Sequence, residues 1–189
     1  MARVEWTVSN VLSVTRVVLL IPILYFLLKL NNGDRTLAAG LMLVAVLTDL
    51  LDGQIARKFH QETEFGRIID PLADKICSGA VIIALVSLGD IPLWFLFTVI
   101  GRDTLILLGG IYIAKTKKVV FHSNWAGKAA MGIVAAYIVL ATLRIESLGD
   151  IETVLLWLST AFLTISFILY CKRFYGTVLA KQQLVAPSE

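Results

Sequence analysis

The stretch DLLDGQIARKFHQETEFGRIIDPLADK, residues 49–75, brings four aspartates together in a strongly apolar chain. These four residues are Asp49, Asp52, Asp70 and Asp74. Hydrophobic residues make up 58% of the 189 residues, and the mean hydropathy is +0.82. A soluble domain of this size cannot bury so much apolar surface, so lipid must cover part of it. The aspartates therefore need a specific role, because each costs about 2.5–3.5 kcal/mol at the centre of a bilayer.

Apolar windows of about 20 residues predict six membrane-spanning helices. The predicted spans are 9–30, 36–56, 70–89, 91–114, 125–143 and 151–171. The expected fold class is an all-α integral membrane protein, a six-transmembrane-helix bundle. We expect a single six-helix domain over 1–175 and a cytoplasmic C-terminal tail over 176–189. No small-residue cleavage site stands out near the N-terminus, so the first apolar run is expected to be retained.

The distribution of lysine and arginine predicts the orientation. With six spans, the two termini share one side of the membrane, which would carry ten of these cations. They are Arg3, Arg57, Lys58, Arg67, Lys115, Lys117, Lys118, Lys172, Arg173 and Lys181. The other side would carry Arg35 and Arg144, with Lys29 at a helix end. The positive-inside rule therefore places both termini in the cytoplasm, for a multi-pass protein of the cell (inner) membrane.

The aspartate spacings place each pair on one face of a helix. Asp49 and Asp52 are three residues apart near the end of the second span, and Asp70 and Asp74 are four apart at the start of the third. If these spans pack as antiparallel neighbours, the two pairs face each other in the cytoplasmic half of the membrane. Four carboxylates repel one another unless cations neutralise them. Oxygen ligands suit Mg²⁺ or Mn²⁺, and four carboxylates could hold two ions about 3.5–4 Å apart.

Residues next to the aspartates suit a phosphate-bearing ligand. Gly53, Ala56 and Gly66 are small, so a ligand could approach the backbone closely. Arg57 has a planar guanidinium that matches a phosphate or a diphosphate. These residues therefore extend the predicted metal site towards a phosphorylated substrate.

The whole pattern resembles the signature of the CDP-alcohol phosphatidyltransferase family. Its eight positions are all matched, by Asp49, Asp52, Gly53, Ala56, Arg57, Gly66, Asp70 and Asp74. An extended form of the signature fits as well, with Thr63, Pro71, Ala73 and Lys75. The resemblance implies a six-helix membrane enzyme with cytoplasmic termini that is typically a homodimer.

The resemblance also implies a role for each motif residue. A cytidine diphosphate-linked lipid binds at the motif, an acceptor alcohol attacks its β-phosphate, and CMP leaves. The implied metal ligands are Asp49, Asp52, Asp70 and Asp74, and Asp74 is also the implied general base. The implied CDP-lipid-binding residues are Asp49, Asp52, Gly53, Ala56, Arg57, Thr63 and Gly66.

Basic residues outside the eight-position signature suggest where the acceptor binds. The stretch from Asn10 to Arg16 is similar to the Asn-x-x-Thr-x-x-Arg pattern of phosphatidylglycerophosphate synthases, with Ser13 at the threonine position. Arg102-Asp103 stands where many of those enzymes have Arg-Glu, and it is also similar to the cardiolipin synthases of the family. The predicted acceptor-binding residues are Arg16, Lys75, Arg102 and Lys128.

Two of these cations, Arg16 and Arg102, have a structural alternative. Arg16 could form an ion pair within the protein, and Arg102 could pair with Asp103 or with a metal-site carboxylate. Lys128 lacks the threonine that often follows three residues later in the branch that uses glycerophosphate, because Met131 stands there.

The function expected from these observations is transfer of a phosphatidyl group from CDP-diacylglycerol to sn-glycerol 3-phosphate. The second choice is phosphatidylglycerol as acceptor, which gives cardiolipin. The expected partners are these substrates, membrane lipid and a second copy of the chain, and no nucleic acid is expected. A cation transporter would not require the glycines and Arg57 at their spacings, and an inactive scaffold would be expected to have lost a motif carboxylate.

Overall fold

A computed structural model describes the backbone of residues 8–29, 32–59, 66–117 and 125–179. Within these ranges the chain forms six α-helices and a 3-10 turn over Glu146–Leu148, with no strand. The helices are α1 (Val8–Leu28), α2 (Asn32–Phe59), α3 (Gly66–Ser87), α4 (Leu93–Lys117), α5 (Trp125–Leu143) and α6 (Gly149–Leu179). Each predicted span falls on one of these helices, so the all-α class is confirmed.

Three segments of the described chain are long and apolar enough to cross a membrane. They are Leu93–Ile113, Trp125–Leu143 and Glu146–Thr177. Only 11% of the first and 17% of the third is buried inside the protein, and large side chains such as Phe97 and Leu108 are exposed. Apolar faces of this size favour contact with lipid. The described part of the chain therefore has the surface of a membrane protein, and the complete six-span arrangement stays a prediction.

The end of α3 shows how the local sequence positions a buried carboxylate. Gly89 adopts a left-handed conformation with φ of 77°, which glycine tolerates because it has no Cβ. The amide of Gly89 donates to the carbonyl of Val86, and the amide of Asp90 donates to that of Leu85. These two bonds form a Schellman motif, which satisfies carbonyls at the end of the helix. Asp90 is therefore held at a defined place just beyond α3.

The chain divides into two compact units. Unit 1 comprises Met1–Pro92 and Ile138–Gly149, and unit 2 comprises Leu93–Tyr137 and Asp150–Glu189. In unit 1, α1 packs against both α2 and α3. The predicted boundary between the domain and the C-terminal tail, at 175/176, falls inside α6. Residues 180–189 lie outside the described part of the chain, and the single domain stays a prediction.

In unit 2, α4 and α6 lie side by side and run in the same direction. Each contact joins a residue of α4 to a residue of α6 that is 62 to 64 positions later in the sequence, and this offset stays nearly constant along the two helices. The contacting pairs are Trp94 with Trp157, Arg102 with Ser166, Ile106 with Tyr170, and Tyr112 with Phe174. Eighteen residues of α4 separate the first and last of these contacts, which is about 27 Å of helix and close to the thickness of a bilayer's hydrocarbon core.

Candidate active site

The predicted motif lies on two consecutive helices of unit 1. Asp49 and Asp52 belong to the second half of α2, together with the small residues and the arginine that follow them. Asp70 and Asp74 belong to the first half of α3, which begins at Gly66. The predicted helical spacings of three and four residues are therefore present. The side chains of 49–59 and 66–74, and the whole of residue 63, lie outside the described residues, so the roles assigned to them stay predictions.

Packing in unit 1 gives the two motif helices a common neighbour. α1 contacts both α2 and α3, and its buried residues include Ile23 and Leu27. Among the side chains of α2 that the structure describes, the buried apolar ones are Ala38, Ala39 and Met42. Small alanines let helix backbones approach one another closely in a membrane protein. The packing therefore supports a site that α2 and α3 build together.

The donor set of the motif fits a hard divalent cation. It offers four carboxylates from two helices, and Mg²⁺ and Mn²⁺ prefer oxygen ligands of this kind. Among the side chains that the structure describes, no group of three His, Cys, Asp or Glu residues could hold a metal. The four aspartates lie outside that set, so metal binding stays a prediction that the helix positions support.

Arg102 is the best defined of the predicted acceptor ligands. Its Nη1 donates to Oδ1 of Asp103 at 2.6 Å, and its Nη2 donates to Oγ of Ser166 at 2.7 Å. The pairing with Asp103 that the sequence left open is therefore present. The side chain is only 12% exposed, and its buried Nε has no partner among the described residues. The Nε–H group of Arg102 is thus a hydrogen-bond donor that these contacts do not use, and the contact of Arg102 with the acceptor substrate stays a prediction.

The other three cations are described less completely. Lys75 is partly exposed on α3, in unit 1, where it also interacts with other residues of the protein. Lys128 is exposed on α5, in unit 2. Arg16 belongs to α1, but its side chain lies outside the described residues. Their shared role in binding the acceptor stays a prediction.

Sequence reasoning missed a buried ion cluster in unit 1. Arg35, which was assigned only to the side opposite the motif, is 1% exposed and donates from Nη1 to Oδ2 of Asp90 at 2.9 Å. Arg144 donates from Nε to Oδ1 of the same carboxylate and from Nη2 to the carbonyl of Leu88. The sequence does show a Leu-Gly-Asp turn after α3 that contains Asp90. No local pattern, however, indicates that Asp90 pairs with arginines more than fifty residues away.

Comparison with known proteins gives the same family as the motif. The family model described as CDP-alcohol phosphatidyltransferase matches residues 6–165. A Rickettsia felis protein named CDP-diacylglycerol–glycerol-3-phosphate 3-phosphatidyltransferase is 31% identical over 182 residues, which cover 92% of this chain and 99% of that protein. A Mycobacterium tuberculosis protein named probable phosphatidylglycerophosphate synthase is 29% identical over 161 residues, 83% of this chain and 76% of that protein.

A third relative is more similar over a shorter stretch. A Drosophila melanogaster protein named probable cardiolipin synthase (CMP-forming) is 40% identical over 108 residues, 57% of this chain. The aligned stretch spans only 33% of that relative's length. The family model nevertheless covers most of this chain, including both halves of the aspartate motif. The chain therefore belongs to the CDP-alcohol phosphatidyltransferase family, which confirms the resemblance that its motif carries.

Proposed function

We propose that this chain transfers a phosphatidyl group from CDP-diacylglycerol to sn-glycerol 3-phosphate, forming phosphatidylglycerophosphate and CMP. Family membership supports the phosphatidyl transfer. The observation that supports this choice of acceptor is the share of each relative's length that aligns with this chain. The Rickettsia felis relative, whose name contains glycerol 3-phosphate, aligns over 99% of its length, whereas the Drosophila relative aligns over 33%.

In the proposed reaction Asp74 acts as the general base. Its carboxylate takes the proton of the acceptor hydroxyl while that oxygen attacks the β-phosphate of the donor, and the bond to CMP breaks. Asp49, Asp52, Asp70 and Asp74 hold Mg²⁺ or Mn²⁺, with two ions expected. The bound metal supplies positive charge that offsets the charge of the diphosphate.

The remaining motif residues bind the donor. Gly53, Ala56, Thr63 and Gly66 line the cytidine and diphosphate pocket, where small side chains leave room for the ligand. Arg57 contacts phosphate through its planar guanidinium. The helical positions of the residues on α2 support this arrangement, since Gly53 and Arg57 are one turn apart on the same face.

We propose that Arg16, Lys75, Arg102 and Lys128 bind the phosphate of the acceptor. The buried Nε of Arg102 supports this role, because a buried donor without a partner costs free energy that a phosphate oxygen would recover. Ser166 and Asp103 hold the guanidinium while that donor stays available.

A second candidate function is cardiolipin synthesis with phosphatidylglycerol as acceptor. The Drosophila relative named probable cardiolipin synthase is 40% identical and the Homo sapiens protein named cardiolipin synthase is 38% identical, over 108 and 109 residues. Arg102-Asp103, in place of Arg-Glu, points the same way. Both acceptors carry a phosphate, so the same basic residues suit either.

We also propose six membrane spans, cytoplasmic termini and a homodimer in the cell (inner) membrane. The Arg35, Asp90 and Arg144 cluster supports the topology, because it joins the start of α2, the α3–α4 turn and the end of α5. These three places share one end of the bundle if consecutive helices cross the membrane in alternate directions. A reporter fused after residue 189 should read as cytoplasmic, and an external reading would refute the topology.

The deciding experiment is CMP release by the purified protein in detergent, with CDP-diacylglycerol, Mn²⁺ or Mg²⁺, and one acceptor at a time. Release with glycerol 3-phosphate but not with phosphatidylglycerol is the expected result. Release only with phosphatidylglycerol would establish the second candidate instead. No release with glycerol 3-phosphate, phosphatidylglycerol, inositol 1-phosphate or serine would refute both.

A further inference from the structure

Arg35 and Asp90 form an ion pair at the end of unit 1 that is remote from the motif. The pair is almost fully buried, with side-chain exposures of 1% and 3%. Arg35 lies in the first turn of α2, where the helix dipole disfavours a positive charge. A buried arginine at this end of a helix therefore depends on a fixed anionic partner, which Asp90 supplies at 2.9 Å.

The pair joins the two helices that carry the motif aspartates. Arg35 is part of α2, and Asp90 is fixed by the Schellman turn that ends α3. A second bond runs from Nη1 of Arg35 to the carbonyl of Thr142, at 3.3 Å, and ties the start of α2 to α5 as well. The start of α2 is thus held relative to the end of α3 by contacts that exclude water.

Because α2 and α3 are continuous helices, fixing the start of α2 against the end of α3 also fixes the relative positions of the motif residues further along them. Asp49 and Asp52 follow Arg35 by fourteen and seventeen residues on one continuous helix, which is about 21 and 26 Å. Asp74 precedes the last residue of α3 by thirteen residues, about 20 Å. α2 and α3 are each one continuous α-helix, and proline kinks neither segment, because α2 contains none and none follows Asp74 in α3. A metal site tolerates displacements of only about 0.5 Å, so a small tilt or slide at one end matters at the other.

We propose that Arg35 and Asp90 are positioning residues, which set the register of α2 against α3 and thereby align the motif carboxylates for the divalent cation. This inference rests on the proposed metal-dependent transfer. Arg35 lies about 21 Å along α2 from Asp49, the nearer of the two motif aspartates on that helix. Arg144 shares the Asp90 carboxylate but is 47% exposed and follows α5, so it stabilises the cluster without belonging to a motif helix.

The test measures Mn²⁺ binding to the full-length protein in detergent by electron paramagnetic resonance, without substrates. Arg35→Met and Asp90→Asn are each expected to raise the Kd for Mn²⁺ about 3- to 10-fold, which lies within the range of about 2- to 30-fold for mutations that act on a site through packed elements. The Mn²⁺ concentration that half-saturates CMP release should rise by the same factor. Arg35→Lys keeps the charge but changes the reach to Asp90, so it should raise the Kd less than Arg35→Met does.

Two control variants separate positioning from loss of stability. Arg144→Gln removes a bond to the same carboxylate, and Gly109→Ala disturbs unit 2, which holds neither motif helix. Both are expected to lower the Tm with a Kd for Mn²⁺ within about twofold of wild type, since neither releases α2 from the end of α3. An equal rise in Kd in either control would overturn the proposal, because general loosening would then explain the effect.

An unchanged Kd in folded Arg35→Met and Asp90→Asn would also overturn the proposal. If neither variant folds, Asp90→Glu serves as the test of the positioning role, because it keeps the charge and displaces Arg35 by one methylene. A folded Asp90→Glu protein with wild-type affinity would then refute positioning. Mn²⁺ binding without CMP release from any acceptor would refute the proposed function alone, whereas a wild-type protein that binds no Mn²⁺ would refute the positioning role.

Discussion

Gly109 of α4 leaves room for one aromatic side chain of α6. A Cβ added at this glycine would lie 2.6 Å from Oη of Tyr170, 3.3 Å from its Cε1 and 3.4 Å from Cε2 of Phe174. Tyr170 is held in place because its hydroxyl donates to the carbonyl of Ile106 at 2.9 Å. Gly109→Ala therefore forces the Tyr170 ring to move as a rigid unit and breaks that hydrogen bond.

The expected cost follows from three contributions. Overpacking costs about 1–3 kcal/mol, and loss of the hydrogen bond costs about 0.5–1.5 kcal/mol. Alanine recovers about 1 kcal/mol because it is a better helix former than glycine. The free energy of unfolding should fall by about 0.5–3.5 kcal/mol, which lowers the Tm by about 1–14 °C for a chain of this size.

Thermal unfolding of the purified protein in detergent measures this effect, with two matched glycines of α4 as controls. Among the described residues, a Cβ at Gly101 has no neighbour within 4 Å, and a Cβ at Gly110 meets only Tyr170 Oη at an ordinary 3.8 Å. Gly101→Ala and Gly110→Ala should leave the Tm unchanged or raise it slightly. Tyr170→Phe removes the clashing oxygen, so Gly109→Ala should cost about 1 kcal/mol less in that background. Equal Tm values for Gly109→Ala and Gly101→Ala, or no coupling to Tyr170, would refute the reasoning.

Three further predictions concern the proposed reaction. Asp74→Asn should reduce the rate of CMP release about 10²- to 10⁴-fold, because the amide cannot accept the acceptor's proton, and full turnover would exclude Asp74 as the base. Arg102→Gln should raise the KM for glycerol 3-phosphate more than it lowers kcat, whereas Ser166→Ala, which keeps the charge of Arg102, should change this KM less. Steady-state kinetics at saturating CDP-diacylglycerol would measure both effects, and equal changes in KM would assign Arg102 to helix packing. Chelation of divalent cations with EDTA should abolish CMP release and added Mn²⁺ or Mg²⁺ should restore it, and activity that persists in EDTA would remove the metal from the proposal.

Residues close together in sequence made the helices and the motif predictable. Each of the six predicted spans lies on one α-helix, because a continuous apolar run in lipid must satisfy its backbone hydrogen bonds internally. The aspartate motif was recognisable for a similar reason. Its aspartates are grouped within about one helical turn on each of two consecutive helices, so their spacing is visible in 27 residues of chain.

The acceptor-binding prediction was harder to make from sequence. Arg102 could have paired with Asp103, with a metal-site carboxylate or with a substrate, since each choice satisfies the same charge. The structure shows the pair with Asp103 and adds Ser166, which is 64 positions away and carries no recognisable pattern. Thr63 and the side chain of Arg16 lie outside the described residues, so their assignments still rest on the motif alone.

The sequence by itself determined the helical segments, the membrane environment and the family, because local spacing and hydropathy carry that information. Only the tertiary structure revealed that Arg35 lies against Asp90 and that Gly109 makes room for Tyr170. Each of these pairs joins residues more than fifty positions apart, and many other partners were available to each residue along the chain. Which partner is chosen depends on how whole helices pack, and that choice is made by burial and shape complementarity between helices rather than by any local pattern.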